Sequence, residues 1–381
     1  MGDDHAKEHM RLLFAGGGTA GHINPALAVA GRIMQDHPGS EIRFVGTPAG
    51  MENRLVPRAG YSLYTIEMRG LSRSFSLAGL RDNARAVRLA LAAVKRAGDI
   101  LSEFRPDAVV GTGGYASFPA VYAAAKRKIP TAILEVNALP GVATKLLASR
   151  VNRVLVGYEE TARRLKKAEN IRVTGSPIRE ELRLADREKA RRELGVPEGK
   201  PLVVSFWGSL GAYRMNQCMA GFVGTLAKTH AFHHIHATGQ SGWKWMPDYF
   251  REQGVEPADC PDTELREYIY DMDRVMAAAD LVLCRAGAST LAELQVVGRA
   301  SVLVPSPYVA ENHQELNARA LESAGAAVVA LEKECTGESL YKTVEGLVLD
   351  TARLREMEKN ARKLGSPFAT RTIAEEIAGL V

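Results

Sequence analysis

Four closely spaced glycines near the start of the chain, Gly16, Gly17, Gly18 and Gly21, run directly into His22. Glycines let a phosphate approach the main chain closely. A histidine beside them can hydrogen-bond a phosphate oxygen or take up a proton near neutral pH. The alternative is a histidine that caps the loop for structural reasons. Asn24 and Pro25 follow, residue types that mark a helix start, and Leu27, Val29, Ala30 and Ile33 continue with helical spacing. The loop is not a Walker A motif, because no GK[ST] follows. It also lacks the acidic residue of a dinucleotide fingerprint, since Val45-Gly46-Thr47 ends the second apolar run.

Two further small-residue turns follow apolar runs in the second half. Trp207-Gly208-Ser209-Leu210-Gly211-Ala212 offers the Ser209 hydroxyl and neighbouring N–H groups to a phosphate. Cys284-Arg285-Ala286-Gly287-Ala288-Ser289-Thr290-Leu291-Ala292-Glu293 leaves room for a diphosphate at a helix start and places Glu293 one turn further in. A carboxylate there can accept two hydrogen bonds from the vicinal hydroxyls of a ribose, although an ordinary helix glutamate has the same local pattern. Three such turns divided between two halves of the chain fit one bridging nucleotide-diphosphate ligand.

The elements that must carry these turns are readable as repeated strand–turn–helix units. Arg11 to Ala15, Glu41 to Val45, Ala108 to Gly111, Thr131 to Glu135, Arg153 to Val156 and Ile171 to Thr174 are apolar runs of the kind buried in a parallel sheet. Val87, Leu91 and Val94 give the Leu80 to Ile100 stretch a helical period. The grammar restarts with Leu202 to Phe206, Phe232 to Ala237, Leu281 to Cys284, Ser301 to Val304 and Ala327 to Ala330. The fold class expected is α/β, two Rossmann-like doubly wound domains with parallel sheets. A chain of 381 residues accommodates both. The boundaries expected are 1–10 for a disordered N-terminal extension, 11–177 for the first domain, 178–360 for the second, and 361–381 for a terminal helix packing back toward the first.

Composition narrows the class. No run of eighteen apolar residues is present to span a bilayer, and the polar stretch Met1 to His9 is expected to be a disordered extension and not a signal peptide. Cys218, Cys260, Cys284 and Cys335 lack metal-ligand spacing and suit a reducing compartment. His233, His234 and His236 lie in one strand pattern; two share a face, which permits a metal, but no carboxylate or cysteine completes the set nearby, so strand packing is expected and no metal. A net charge of +5 is compatible with nucleic acid, phosphate-bearing ligands or an anionic membrane. No nucleic-acid motif accompanies it. Between Arg69 and Arg81, Leu71, Phe75, Leu77 and Leu80 alternate with Arg73 and Arg81, a mixture suited to anionic headgroups as well as to a plain loop and helix start.

Taken together, Gly16-Gly17-Gly18-Thr19-Ala20-Gly21-His22, Gly111-Thr112-Gly113-Gly114-Tyr115, Gly175-Ser176-Pro177-Ile178-Arg179, Gly208-Ser209-Leu210-Gly211-Ala212, Arg285-Ala286-Gly287-Ala288-Ser289-Thr290 and Glu311-Asn312-His313-Gln314-Glu315-Leu316-Asn317-Ala318 resemble the MurG family of GT-B transferases. The resemblance runs from about Arg11 to Ala318. It implies two domains facing across a cleft and an inverting transfer of N-acetylglucosamine from UDP-N-acetylglucosamine to the C4 hydroxyl of an undecaprenyl-linked N-acetylmuramoyl-pentapeptide. That is lipid I to lipid II in peptidoglycan synthesis, tied to cell wall biogenesis, cell shape and cell division, by a peripheral enzyme on the cytoplasmic face of the membrane. By the same resemblance Thr19, Ala20, Gly21 and Asn137 line the donor sugar, Arg179 and Ser209 contact the UDP, and the main chain at Ile269 meets the uracil. Ala288, Ser289, Thr290, Leu291, Ala292 and Glu293 hold the diphosphate and ribose, and Gln314 the sugar hydroxyls. His22 faces the acceptor pyrophosphate or acts as base, for which it is the leading candidate and Glu135 the second. The family pattern differs here at Ala20, Leu134, Val136 and Trp207. No DxD run stands where a metal-bridged diphosphate would need it, and helix N-termini with Arg179 can offset the leaving charge, so neither metal nor cofactor is expected. Competing expectations are a diacylglycerol glucosyltransferase of the same superfamily, a UDP-N-acetylglucosamine 2-epimerase, and a nucleotide-sugar sensor without turnover.

Overall fold

Apolar five- and six-residue runs become central strands because each is covered on both faces. A computed structural model describes residues 9–68, 77–165, 169–208, 210–309 and 312–381, with 77–87 and 257 as backbone only. The first sheet comprises β1 (Arg11–Gly16), β2 (Glu41–Gly46), β3 (Ser62–Thr65), β4 (Ala108–Gly113), β5 (Thr131–Glu135), β6 (Arg153–Val156) and β7 (Ile171–Val173), in the order β3-β2-β1-β4-β5-β6-β7. The second comprises β8 (Leu202–Phe206), β9 (His233–Ala237), β10 (Thr263–Arg266), β11 (Leu281–Cys284), β12 (Ala300–Leu303) and β13 (Ala327–Val329), in the order β10-β9-β8-β11-β12-β13. All pairings are parallel. Both units are therefore doubly wound α/β sheets.

The chain divides into one unit of residues up to Glu180 plus Phe368–Val381, and another of Glu181–Pro367. In the first, Leu13, Ala15, Val109 and Ile133 pack with Ile100, Leu101 and Phe104 of the helix Leu77–Phe104. In the second, alternate residues of β8 enter opposite cores: Leu202, Val204 and Phe206 one, Val203 the other. Burying each such side chain contributes about 1.5–3 kcal/mol. The last helix, Ala369–Ala378, packs on the helix Ala20–Asp36. Thr370 Oγ1 ties it to the Gly175–Arg179 segment, accepting from the Ile178 N–H at 3.0 Å and donating to the Ile178 carbonyl at 2.6 Å.

Strand order turns outward in opposite directions from β1 and β4 in the first sheet, and from β8 and β11 in the second. In open α/β sheets the crevice for a ligand opens beyond the carboxyl ends of the strands at such a point. The loops after β1, β4, β8 and β11 are the glycine and small-residue turns picked out by composition.

The three-histidine strand is β9. Ser205 Oγ of β8 sits between His234 Nε2 at 2.8 Å and His236 Nδ1 at 2.7 Å, and both rings are fully buried. Phe222 packs on His234 and Trp207 near His236. Burial pushes the His236 imidazole down to about 3 and that of His234 well below the usual 6.5. As pH falls below 6.5, the unfolded chain takes up protons that these folded residues refuse, so stability drops by about 1.4 kcal/mol per pH unit for each histidine. The urea midpoint is expected to fall between pH 6.5 and 4.5, and His236→Gln to fall less steeply; parallel slopes for the two proteins would contradict this account.

Candidate active site

The loop after β1 leads into a helix that begins earlier than Asn24-Pro25 suggests. The helix is Ala20–Asp36, with Thr19 as its N-cap and Pro25 inside it. A proline in the second turn costs one main-chain hydrogen bond yet leaves the first turn intact. His22 accordingly lies within the first turn, half-buried, with Thr19 exposed and Ala20 and Gly21 partly covered. Its Nδ1 is 3.1 Å from the Gly17 carbonyl oxygen. A carbonyl only accepts, so Nδ1 carries a proton, and in the neutral ring Nε2 keeps its lone pair. The ring rests on the loop after β4: a Cβ on Gly113 would come within 2.6 Å of His22 Cδ2, and one on Gly114 within 2.2 Å of the Gly17 carbonyl. Both positions have positive φ.

Glu135 ends β5 and is buried. Its Oε1 accepts from the Asn137 main chain at 3.1 Å and from Asn137 Nδ2 at 2.9 Å; its Oε2 accepts from the Gly141 N–H at 2.9 Å and the Thr144 hydroxyl at 2.7 Å. With both oxygens so engaged, Glu135 holds the 137–144 loop and orients Asn137. That geometry favours His22 over Glu135 as the group that takes a proton. Arg179 follows the tied Ile178, half-buried, with its Nε lacking a hydrogen-bond partner among the described residues.

In the second unit the loop after β11 opens the helix Ala288–Val297, with Gly287 as N-cap. Ser289 and Thr290 are half-buried, Ala288, Leu291 and Ala292 buried, and Glu293 lies 9% exposed in the second turn. The first-turn N–H groups point out of the sheet end, where an anion is favoured. The loop after β8 reaches the helix Tyr213–Thr229 through Gly208 and Gly211; Ser209 itself lies outside the described residues. The Ile269 side chain is buried in the core, leaving its main chain to the loop after β10. Gln314, in the first turn of the helix His313–Ser323, accepts the Ser306 N–H at 2.9 Å, which fixes its orientation. Leu71, Arg73 and Phe75 lie outside the described residues, as do the side chains of Leu77, Leu80 and Arg81.

Two supporting groups were given no role in the reading of the sequence motifs, although Arg285 stands within one of them. Glu52 is buried behind the first glycine loop. In the second unit, buried Arg285 donates to the carbonyls of Val304 at 3.1 Å and Pro305 at 3.2 Å and pairs with buried Glu332 at 2.6 Å. Its guanidinium carbon also stands 5.9 Å from the centroid of the Trp207 ring. One cation thereby joins the chain segments leaving β8, β11, β12 and β13.

Residues 12–156 match the glycosyltransferase family 28 N-terminal domain, and residues 202–376 match the family 28 C-terminal domain. A relative from Acetivibrio thermocellus, named UDP-N-acetylglucosamine--N-acetylmuramyl-(pentapeptide) pyrophosphoryl-undecaprenol N-acetylglucosamine transferase, is 42% identical over 98% of each chain. The crystal structure of Acinetobacter baumannii MurG is similar, with a TM-score of 0.69 and 27% identity, covering 97% of this chain and 99% of that one. The UDP-GlcNAc 2-epimerase of Neisseria meningitidis, solved bound to UDP-GlcNAc, shares the fold alone: 14% identity at a TM-score of 0.62, over 96% of this chain and 99% of the other. With both family 28 domains matched in order and a full-length relative at this identity, the chain belongs to glycosyltransferase family 28, in its MurG group.

Proposed function

We propose that this chain transfers N-acetylglucosamine from UDP-N-acetylglucosamine to the C4 hydroxyl of an undecaprenyl-pyrophosphoryl-N-acetylmuramoyl-pentapeptide, with inversion, at the cytoplasmic face of the cell membrane. The observation that carries the reading is the 42% identity over 98% of both chains to a transferase named for this reaction. The site geometry supports it. Residues 11–177 serve the acceptor and the membrane and residues 178–360 the UDP-sugar, while of the terminal 361–381 stretch Phe368–Val381 belongs with the first unit. Among the described residues no helix is long and apolar enough to cross a membrane. Membrane attachment is assigned to the stretch from Leu71 to Arg81, on the alternation of Leu71, Phe75, Leu77 and Leu80 with Arg73 and Arg81 in its sequence.

His22 Nε2 takes the proton of the acceptor hydroxyl as its oxygen attacks the anomeric carbon from the side opposite UDP. The bond from that carbon to the diphosphate oxygen breaks, and UDP leaves with the electron pair. The N–H groups of Ala288, Ser289 and Thr290, with Arg179 and Ser209, stabilise the charge that builds on the diphosphate. Glu293 accepts from the ribose hydroxyls, the Ile269 main chain meets the uracil, and Thr19, Ala20, Gly21, Asn137 and Gln314 are assigned to the sugar.

The test supplies radiolabelled UDP-N-acetylglucosamine and a short-chain lipid acceptor to the intact chain. A labelled disaccharide lipid and UDP are expected. Folded, UDP-binding protein that yields no such product would sink the proposal, and isomerised UDP-sugar formed without acceptor would replace it by an epimerase. In the same system Glu293→Ala should raise the Kd for UDP about 10- to 100-fold, the loss of hydrogen bonds to a carboxylate; an unchanged Kd would remove Glu293 from the nucleotide site.

A further inference from the structure

Glu52 begins the helix Glu52–Arg58 and is 0% exposed. Burying a carboxylate is costly unless its oxygens are fully engaged. Here Oε1 accepts from the Thr47 N–H at 2.5 Å and the Thr47 hydroxyl at 2.7 Å, and Oε2 accepts from the Gly18 N–H at 2.9 Å. The slot is shaped for this group: a Cβ on Gly17, Gly46 or Gly50 would come within 2.4 Å, 2.3 Å or 2.1 Å of the Glu52 side chain.

The Gly18 N–H and the Gly17 carbonyl belong to one peptide unit. Its N–H is held by Glu52, and its carbonyl receives the proton on His22 Nδ1. Carboxylate, peptide plane and imidazole form a single hydrogen-bonded chain. Hydrogen bonds in series polarise one another, so an N–H engaged by a carboxylate makes the carbonyl of the same unit a stronger acceptor. We infer that Glu52 is a positioning residue for His22, acting through the Gly17–Gly18 peptide to fix the tautomer and orientation that leave Nε2 as base. The inference rests on the proposed transfer reaction for its kinetic consequence, while the tautomer itself is independent of it.

Glu52→Gln isolates the effect with little change in volume. An amide oxygen can serve Thr47, but the amide NH2 then faces the Gly18 N–H, donor against donor. In this variant kcat is expected to fall to roughly a tenth to a hundredth, a share of the 10²–10⁴-fold that a positioned base contributes. The KM for UDP-N-acetylglucosamine should change less than kcat, because the groups assigned to the diphosphate and ribose, Ala288 to Glu293, lie in the other unit and the hydrogen bonds of Glu52 run to Gly18 and Thr47. Thr47→Val, which spares the Gly18 bond, should remain within about threefold of the parent. The second readout needs no turnover: nitrogen NMR of histidine-labelled protein should show His22 protonated at Nδ1 in the parent and as a mixture of tautomers in Glu52→Gln. A folded Glu52→Gln protein with the parent's His22 tautomer, or with the parent's kcat, overturns the inference. A parent chain that makes no disaccharide lipid refutes the proposed reaction instead, and the NMR comparison still decides the role of Glu52.

Discussion

His22→Ala is expected to lower kcat by about 10²–10⁴-fold while the KM for UDP-N-acetylglucosamine changes by less than about threefold. The asymmetry follows from where the group sits. His22 is in the first turn of the helix after β1, and its Nδ1 is committed to the Gly17 carbonyl, so the only proton it can accept goes to Nε2. The helix Ala288–Val297, whose N-terminus and Glu293 are assigned to the nucleotide, belongs to the other unit. Steady-state kinetics with acceptor saturating, beside UDP titration of the same preparation, separates the two effects. A variant that loses nucleotide affinity as much as turnover would place His22 on the donor instead. His22→Gln is a useful companion, since it retains a hydrogen-bonding group without a proton-accepting nitrogen and should be nearly as slow.

Arg285→Ala should destabilise the second unit by about 3–5 kcal/mol, the range for removing one partner of a buried ion pair. Three separate losses coincide there: Glu332 keeps a buried charge with no counter-ion from Arg285, the carbonyls of Val304 and Pro305 lose a donor, and Trp207 loses the cation beside its ring. A shift of that size is readable as a drop in the urea midpoint at unchanged m-value. The double variant Arg285→Met with Glu332→Leu should recover much of the stability, because an apolar pair of similar volume avoids the desolvation cost. It should still bind UDP more weakly than the parent, since the loops after β11 and β12 have lost the group that joins them. A single variant within about 1 kcal/mol of the parent would mean that the Arg285 contacts are not stability determinants.

Trp207 connects this clamp to the chain's departures from its family. The position is expected to be glycine, and here the indole is buried, close to both Arg285 and His236. It fills space beneath the loop after β8, so the departure is accommodated within the packing of the second unit.

The central strands were legible because a parallel strand covered on both faces must be apolar along its whole length. Thr131–Glu135, Arg153–Val156, Leu202–Phe206 and Leu281–Cys284 are seen as read, and most others differ by a residue or two at an end. The strands Ser62–Thr65 and Thr263–Arg266 were not legible, for the complementary reason. Each lies at an edge of its sheet, half-exposed, and neither SLYT nor TELR carries an apolar run. The helix start at Ala20 was misplaced because Pro25 reads as a first-turn residue, while packing held a proline in the second turn.

By itself, the sequence determined the class of fold and the position of the turns assigned to a phosphate, because glycine and small-residue clusters after apolar runs are local properties of the chain. Only the tertiary structure decided what backs those turns. The bond of Glu52 to Gly18 spans 34 residues and that of Arg285 to Glu332 spans 47. Neither separation has a local signature, since a buried carboxylate finds its donors only after distant strand ends have come together. Which oxygens of Glu135 are already engaged, and which nitrogen of His22 keeps its lone pair, are settled at the same stage and for the same reason.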